Sequence, residues 1–259
     1  MDLELQGRVV LVTGGSDGLG AALAQRLVIE GASVAVCARG AERLTAVAER
    51  LRAQGGDVLD VAADVTDPDA VQHFVDAAAQ RWGRIDAVVN NAGAAAASPF
   101  EAIDDATWEA DLELKLHAAI RMTRAALPHL RAAGGGAVLN VLATAAKAPP
   151  AASMPSSVSR AAGLAFTKAL SKDLGGDGIR ANCVLIGIVE SGQWDRLAER
   201  RGTSVEEVHQ LMVQATNIPL GRVGRAEEFA DLAAFLVSPR AAYISGTAIN
   251  FDGGSSPAS

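Results

Sequence analysis

Tyrosine is almost missing from this chain: Tyr243 is the only one in 259 residues, and all aromatics together make up 4%. A core so poor in rings must be filled with Val, Leu, Ile and Ala, which suits helices packed over parallel strands rather than an aromatic-rich sandwich. Cysteine is reduced to Cys37 and Cys183. Both lie in apolar strand-like runs, so each reads as a buried free thiol and not as a disulfide or metal ligand. The four histidines, His73, His117, His129 and His209, show no ligand spacing, and no metal site is expected. Positive charge is scarce: the net charge is −7 and no basic run extends beyond Arg200-Arg201, so nucleic acid is not an expected partner. No apolar run reaches the roughly 18 residues of a spanning helix, so no membrane partner is expected either. The opening "MDLELQGRVV" is acidic and lacks a signal-peptide core, which points to a cytoplasmic protein.

What is present is a β/α rhythm. Short apolar runs predict strands at Arg8–Thr13, Ser33–Ala38, Val58–Ala62, Ala87–Asn90, Ala137–Val141, Arg180–Leu185 and Ala248–Phe251. Segments of 3.6-residue period predict helices at Gly18–Glu30, Ala41–Ala53, Pro68–Trp82, Thr107–Ala133, Ser156–Leu174, Val205–Ala215 and Ala226–Leu236. Asp67-Pro68 reads as an N-cap with proline in the first turn, and Gly31 and Gly175 as C-cap glycines. Such alternation predicts an α/β fold, a doubly wound parallel sheet covered on both faces, formed as one domain over residues 1–259. Two segments break the rhythm: the loop "AAGAAAASPFEAIDDAT", and an insertion at about 193–224 with a helix of its own, long enough to be a substrate lid.

Residues 13–20, "TGGSDGLG", follow the first strand and open a helix. Gly14 permits the tight turn, Gly18 lets backbone approach a pyrophosphate, and Gly20 lets the helix pack close to the sheet. Gly14, Ser16, Asp17, Gly18, Leu19 and Gly20 are therefore candidate cofactor contacts at a helix N-terminus with free N–H groups. At the tip of the second strand, where a carboxylate would bond a ribose 2′-hydroxyl, the sequence has Ala38 followed by Arg39. That favours NADP(H) over NAD(H), with Asp17 a mild argument the other way.

"TGGSDGLG", "ADV" at 63–65, "NNAG" at 90–93 and the tail "PLGRVGRAEEFADLAAFLVSPRAAYISGTAINFDGG" resemble the short-chain dehydrogenase/reductase family from about Leu5 to Gly254. The resemblance implies a Rossmann-type three-layer sandwich with seven parallel strands in the order 3-2-1-4-5-6-7. It also implies that Asp64 and Val65 hold the adenine, and that Asn91, Ala92 and Gly93 line the ribose side. Gly187, Ile188 and Ser191 of "LIGIVES" would meet the nicotinamide amide, with Ile186 in place of a proline. A homodimer or homotetramer is implied through the "RMTRAALPHL" and "ALSKDL" helices.

The family's chemistry uses Asn, Ser, Tyr and Lys. Here those positions fall on Lys115, Ala143 (with Thr144 next to it), Ser156 and Arg160. All four are substituted, so the usual mechanism is absent. Tyrosine has a reference pKa near ~10 that a neighbouring ammonium can lower toward neutrality, while a serine is far too weak an acid to copy this alone. Arg160 stays protonated and cannot act as a base, but could hold the nicotinamide ribose. "MPSSVSRAAG" also resembles the 2,4-dienoyl-CoA reductases, which carry Pro-Ser at this point. Those enzymes keep the lysine and place a tyrosine at the position of Ala145, and this chain has neither. The candidate catalytic set is Lys115, Thr144, Ser156 and Arg160, with Lys147 as a further amine. Lys115 reads either as a desolvated acid or as a structural or exposed cation. Ser156 and Thr144 read as donors to a bound carbonyl or as helix caps.

Three functions stay open. The first is an NADP(H)-dependent oxidoreductase with an unusual acid, acting on a bulky or apolar carbonyl, alcohol or enone. The second is a lyase or isomerase that keeps the cofactor as scaffold. The third is a non-catalytic nucleotide-binding subunit, in a hetero-oligomer with an active relative.

Overall fold

The computed structural model describes residues 1–259. Seven strands form one parallel sheet: β1 (Val9–Thr13), β2 (Ser33–Ala38), β3 (Val58–Ala62), β4 (Ala87–Asn90), β6 (Gly136–Ala143), β8 (Ile179–Ile186) and β9 (Ala248–Phe251). Their order is β3-β2-β1-β4-β6-β8-β9, the doubly wound arrangement expected once two very short strands are set apart. Those two, β5 (Ala97–Ser98) and β7 (Met154–Pro155), form an antiparallel ladder of their own, Ala97 opposite Pro155 and Ser98 opposite Met154.

The sheet is covered on both faces because its strands are apolar on both. Val10 and Val12 of β1 pack with α1 (Gly18–Ile29), α2 (Ala41–Ala53) and α9 (Ala226–Val237) through Leu23, Leu27, Leu51 and Phe229. Val9 and Leu11 point the other way, onto α3 (Pro68–Trp82) and α5 (Ala118–Ala132) through Phe74, Met122 and Leu130. Burying a side chain such as Phe74 contributes about 1.5–3 kcal/mol. The helices start where their caps dictate: Asp67 accepts from the N–H groups of Asp69 and Ala70 ahead of α3, with Pro68 in the first turn. Gly31 takes the expected left-handed conformation after α1. Gly175 does not. Helix α6 (Ser156–Asp173) runs into a 3₁₀ turn, and Gly178, three residues on, takes the positive φ of 71°.

The single helix predicted over Thr107–Ala133 is interrupted. It comprises α4 (Asp105–Leu112), a π turn over Glu113–His117, and α5. The expected insertion at 193–224 holds two helices, α7 (Gly192–Arg201) and α8 (Val205–Thr216). No helix is long and apolar enough to cross a membrane. Cys37 and Cys183 are buried and unpaired, and no cluster of His, Cys, Asp or Glu could hold a metal ion.

Candidate active site

The crevice lies where the sheet reverses direction, at the carboxyl ends of β1 and β4, the place where open α/β sheets bind nucleotides. Its floor is the turn after β1. Gly14 has φ of 72°, and the Gly14 and Gly15 N–H groups both donate to the Cys37 carbonyl on β2, at 2.8 and 3.1 Å. Asp17 caps α1, accepting from the Gly18 N–H at 2.7 Å. A Cβ on Gly20 would stand 2.2 Å from the Gly14 carbonyl oxygen, so only glycine permits this approach of helix to strand. Ser16 and Leu19 are half-buried, Leu19 against the α1 core.

Asn91, expected on the ribose side, is spent on the turn itself. Its Nδ2 donates to the Thr13 carbonyl at 2.9 Å and to the Gly14 carbonyl at 3.3 Å, while the N–H groups of Asn91 and Ala92 both donate to Thr13 Oγ1 at 3.0 Å. Ala92 and Gly93 continue that loop, with Gly93 against Arg160. At the tip of β2, Arg39 is exposed. The Asp64 carboxyl accepts from the Thr66 N–H and Oγ1 and is held below its ordinary pKa, chiefly by the Thr66 backbone, with Arg39 adding to the effect. Val65 is buried beside it.

The segment after β8 closes the far side. Gly187 N–H donates to the Phe251 carbonyl at 2.9 Å, and the Ile188 carbonyl accepts from Gly224 N–H at 3.0 Å. Ser191 sits against the phosphate turn, where a Cβ on Gly18 would lie 3.2 Å from the Ser191 Cβ. The Ser191 hydroxyl is buried with no protein partner. A buried orphan hydroxyl at a helix N-terminus fits a phosphate or amide group, so these residues suit a dinucleotide. Arg196 of α7 reaches back over the turn to Asp17, at 3.5 Å.

The chemical end is a buried polar cluster. The π turn swings Lys115 inward, and its side chain is 1% exposed. Glu113 pairs with Arg121 and His117 on the solvent side of that turn, so His117 faces away from the cluster. Lys115 Nζ pairs with Asp111, four residues earlier, and donates to Ser156 Oγ at 2.6 Å. The Ala96 N–H also donates to Ser156 Oγ, at 3.2 Å, from the loop that β5 ties down against β7. Burial pushes the Lys115 pKa below its usual 10.5 and nearby Arg160 adds to this, with Asp111 opposing both. The exposed-cation alternative for Lys115 is therefore overturned. Arg160 is also deeply set: its guanidinium donates to the Val141 carbonyl at 2.7 Å and lies against Gly93, and burial lowers its pKa to about 10. It is still a cation at neutral pH. Thr144 opens a short turn after β6, half-buried, with Ala143 before it. Lys147 is not part of the cluster, since its Nζ bonds the Ala248 carbonyl and Asn250 Oδ1, both at 3.1 Å. Tyr243 is fully exposed beyond α9 and offers the site no phenol.

Sequence reasoning missed Asp111 and Ser159. Ser159 Oγ donates to the second carboxylate oxygen of Asp111 at 2.6 Å. The available signal was the four-residue spacing of Asp111 and Lys115 along a helix.

A family model described as short chain dehydrogenase matches residues 8–202. The chain belongs to the short-chain dehydrogenase/reductase family. A D-threitol dehydrogenase from Mycolicibacterium smegmatis is 34% identical over 257 residues, covering 98% of this chain and 94% of that protein. The L-sorbose reductase of Gluconobacter frateurii, solved with NADPH and L-sorbose, superposes with a TM-score of 0.95 at 32% identity over 100% of both chains. A Pseudomonas aeruginosa short chain oxidoreductase described as containing an atypical catalytic center, solved with NADPH bound, gives 0.92 at 35% identity, covering 97% of this chain and 98% of that one. Dehydrogenase/reductase relatives at this similarity place the chain among nicotinamide-dependent oxidoreductases.

Proposed function

We propose that this family member is an NADP(H)-preferring oxidoreductase for an activated carbonyl, its alcohol or a conjugated enone, with Ser156 and Lys115 together replacing the missing tyrosine. The observation that carries this is the double acceptance at Ser156 Oγ. A hydroxyl has one donor and two acceptor sites, and both acceptor sites are filled, by the Lys115 ammonium and the Ala96 N–H. The Ser156 O–H is left to donate to a ligand, polarised by a buried cation behind it.

Gly14, Gly18, Ser191 and the α1 N-terminus would hold the pyrophosphate, and Arg160 and Gly187–Ile188 the nicotinamide end. A nicotinamide bound there supplies the hydride. The chain's own residues handle the proton. As negative charge develops on a substrate oxygen at Ser156, that oxygen takes the Ser156 proton and Lys115 Nζ replaces it. Lys115 is then neutral between Asp111 and Arg160. The transfer removes an excess of buried positive charge, and burial has already made this ammonium a stronger acid than a free lysine. General acid help of this kind contributes about 10²–10⁴-fold, or roughly 3–5 kcal/mol of barrier.

The NADP(H) preference is supported by Ala38 and exposed Arg39 at the tip of β2, and by two relatives solved with NADPH. Exposed Phe100, Leu211 of α8 and Leu220, in the connections after β4 and β8, favour a bulky apolar substrate. A homodimer or homotetramer is supported by exposed Val158, Ala161 and Ala165 along α6.

Fluorescence titration with NADPH and NADH tests the cofactor, and turnover of diacetyl and cyclohexenone tests the chemistry. Micromolar NADPH binding with much weaker NADH is expected, and both Lys115→Met and Ser156→Ala should lose about 10²–10⁴-fold in kcat. Failure to bind either nucleotide would overturn the reading in favour of a non-redox enzyme or a partner subunit.

A further inference from the structure

Lys115 shares its pocket with a carboxylate that the proton path above does not use. Asp111 lies on the inner face of α4 and is 4% exposed, as buried as Lys115 at 5%. Two cations are close to it, buried Lys115 and half-buried Arg160, yet the carboxylate is directed at one. Arg160 turns its guanidinium to the Val141 carbonyl, while Asp111 Oδ1 receives the Lys115 ammonium and Oδ2 receives the Ser159 hydroxyl at 2.6 Å. Ser159 is itself fixed, 1% exposed, with its Oγ also 3.1 Å from the Ser156 carbonyl. The clamp therefore comes from the same first turn of α6 that presents Ser156. The π turn that follows α4 holds Lys115 and closes the arrangement from the other side, bringing its ammonium to the Asp111 carboxylate on the last turn of α4.

We propose that Asp111 is a positioning residue: clamped by Ser159, its carboxylate holds the Lys115 ammonium against Ser156. The proposal rests on the proton path assigned above, but its test reads Lys115 directly. An ammonium on a flexible four-carbon stem has three donors and no fixed direction. With one donor on Asp111 and one on Ser156, the direction is set.

Lys115 is faced by Asp111 from α4 and by Arg160 from α6, while β4 and β6 present the neutral Asn90 and Asn140 to the same pocket. Burial and Arg160 favour the neutral amine, and Asp111 alone favours the ammonium. Without the carboxylate, Lys115 sheds its proton at lower pH and has none to pass to Ser156. Removing Ser159 has the opposite sign, because the carboxylate charge it shares is then given wholly to Lys115.

The chain has four lysines, Lys115, Lys147, Lys168 and Lys172, so a lysine-labelled sample gives a readable NMR titration of each side chain. Lys115 is assigned by its loss in Lys115→Met. Its midpoint is expected below the usual 10.5 of a lysine in the unmodified chain. Asp111→Asn should lower it by about one to three pH units, the effect of an opposite charge within contact distance. Ser159→Ala should raise it by a few tenths. A midpoint in Asp111→Asn within a few tenths of the original overturns the proposal. If Asp111→Asn fails to fold, Ser159→Ala decides: an upward displacement supports the clamp, and none, or a downward one, refutes it. NADPH titration of the same samples separates the two readings. Displacement in the variants with no NADPH binding leaves Asp111 in its role and removes the oxidoreductase assignment, while NADPH binding and turnover with an unmoved Lys115 does the reverse.

Discussion

Replacing Lys115 with methionine strips one partner from a buried ion pair and leaves the other in place. The two side chains are 1% and 2% exposed, so solvent cannot compensate Asp111 after the loss. Breaking such a pair from one side costs about 3–5 kcal/mol, because the remaining charge stays desolvated. The lower end applies here, since Asp111 keeps the Ser159 hydroxyl and the nearby Arg160 cation. A loss near ~3 kcal/mol is a large part of the 5–15 kcal/mol typical of a folded domain. For a chain of this size it lowers Tm by about 6–12 °C. The double variant Asp111→Leu/Lys115→Met removes both charges and fills the space with apolar groups, so it should recover most of the deficit, to within ~1 kcal/mol of the parent. Urea denaturation and thermal melts at one fixed protein concentration, which holds any assembly equilibrium constant, measure both variants. A single variant as stable as the parent, or a double variant no better than the single, would refute the reasoning. Either result would mean that water reaches Asp111 in solution.

Arg39→Ala should weaken NADPH binding about tenfold, as expected for one charged phosphate contact of ~1.4 kcal/mol, while leaving NADH unchanged in the same fluorescence titration. Burial holds the thiols of Cys37 and Cys183 up at about 12 and about 11, against 9.0 for a free one. Between those values the folded chain binds more protons than the unfolded one, so stability falls as pH rises from about 9 to 11. Cys37→Ala should flatten that fall, and Ellman's reagent should find neither thiol until the chain is denatured. For Asp86, burial pushes the carboxyl up but Arg84, the Val9 N–H and Arg8 outweigh it and hold it below 3.8. Its contribution is present above that value and lost as pH falls further, so Asp86→Asn should be less stable near neutrality and show a flatter acid limb in denaturation against pH.

The fold was legible because its signals are repeated in every unit. Strand runs, cap residues and the glycine turn each follow from local chemistry, and strands such as Ser33–Ala38 and Val58–Ala62 match residue for residue. What escaped was made of single insertions or of burial. A π turn adds one residue to one helical turn and hardly disturbs the apolar pattern, so Glu113–His117 reads as ordinary helix. Helix α7 buries only Ala198, so "GQWDRLAERR" has no core-facing stripe to reveal it. The ladder of β5 and β7 is two residues long, below any periodicity. At the site, the four positions that the family resemblance assigns could be counted along the chain. Their partners could not: Asp111 looks like a surface acid on a helix until the fold buries it, and Asn91 looks like a ligand contact until its amide is seen spent on the Thr13 and Gly14 carbonyls.

The four residues at the positions that the family resemblance assigns to its catalytic set, Lys115, Ala143, Ser156 and Arg160, fit one another as the proposed function requires. A tyrosine reaches into a cleft from helix α6, whereas a serine at the same place keeps its hydroxyl close to the backbone. That short reach is useful only if something meets it there, and two things do: the Ala96 N–H from the loop pinned by β5 and β7, and Lys115 from the opposite wall. A lysine at 115 needs a counter-charge to stay protonated when buried, and Asp111 sits one helical turn back with Ser159 behind it. With the ammonium now on the π turn after α4, a second lysine at 160 would compete for Asp111. An arginine there can instead turn its planar fork to the Val141 carbonyl and remain a fixed charge. Ala143, finally, brings no hydroxyl to compete for the Ser156 proton. Under the proposed proton path these residues are consistent with one another. Lys115 and Asp111 pair with each other, and the Arg160 guanidinium, which has no counter-charge of its own, donates to the Val141 carbonyl, so the charged groups of the site all have hydrogen-bond partners.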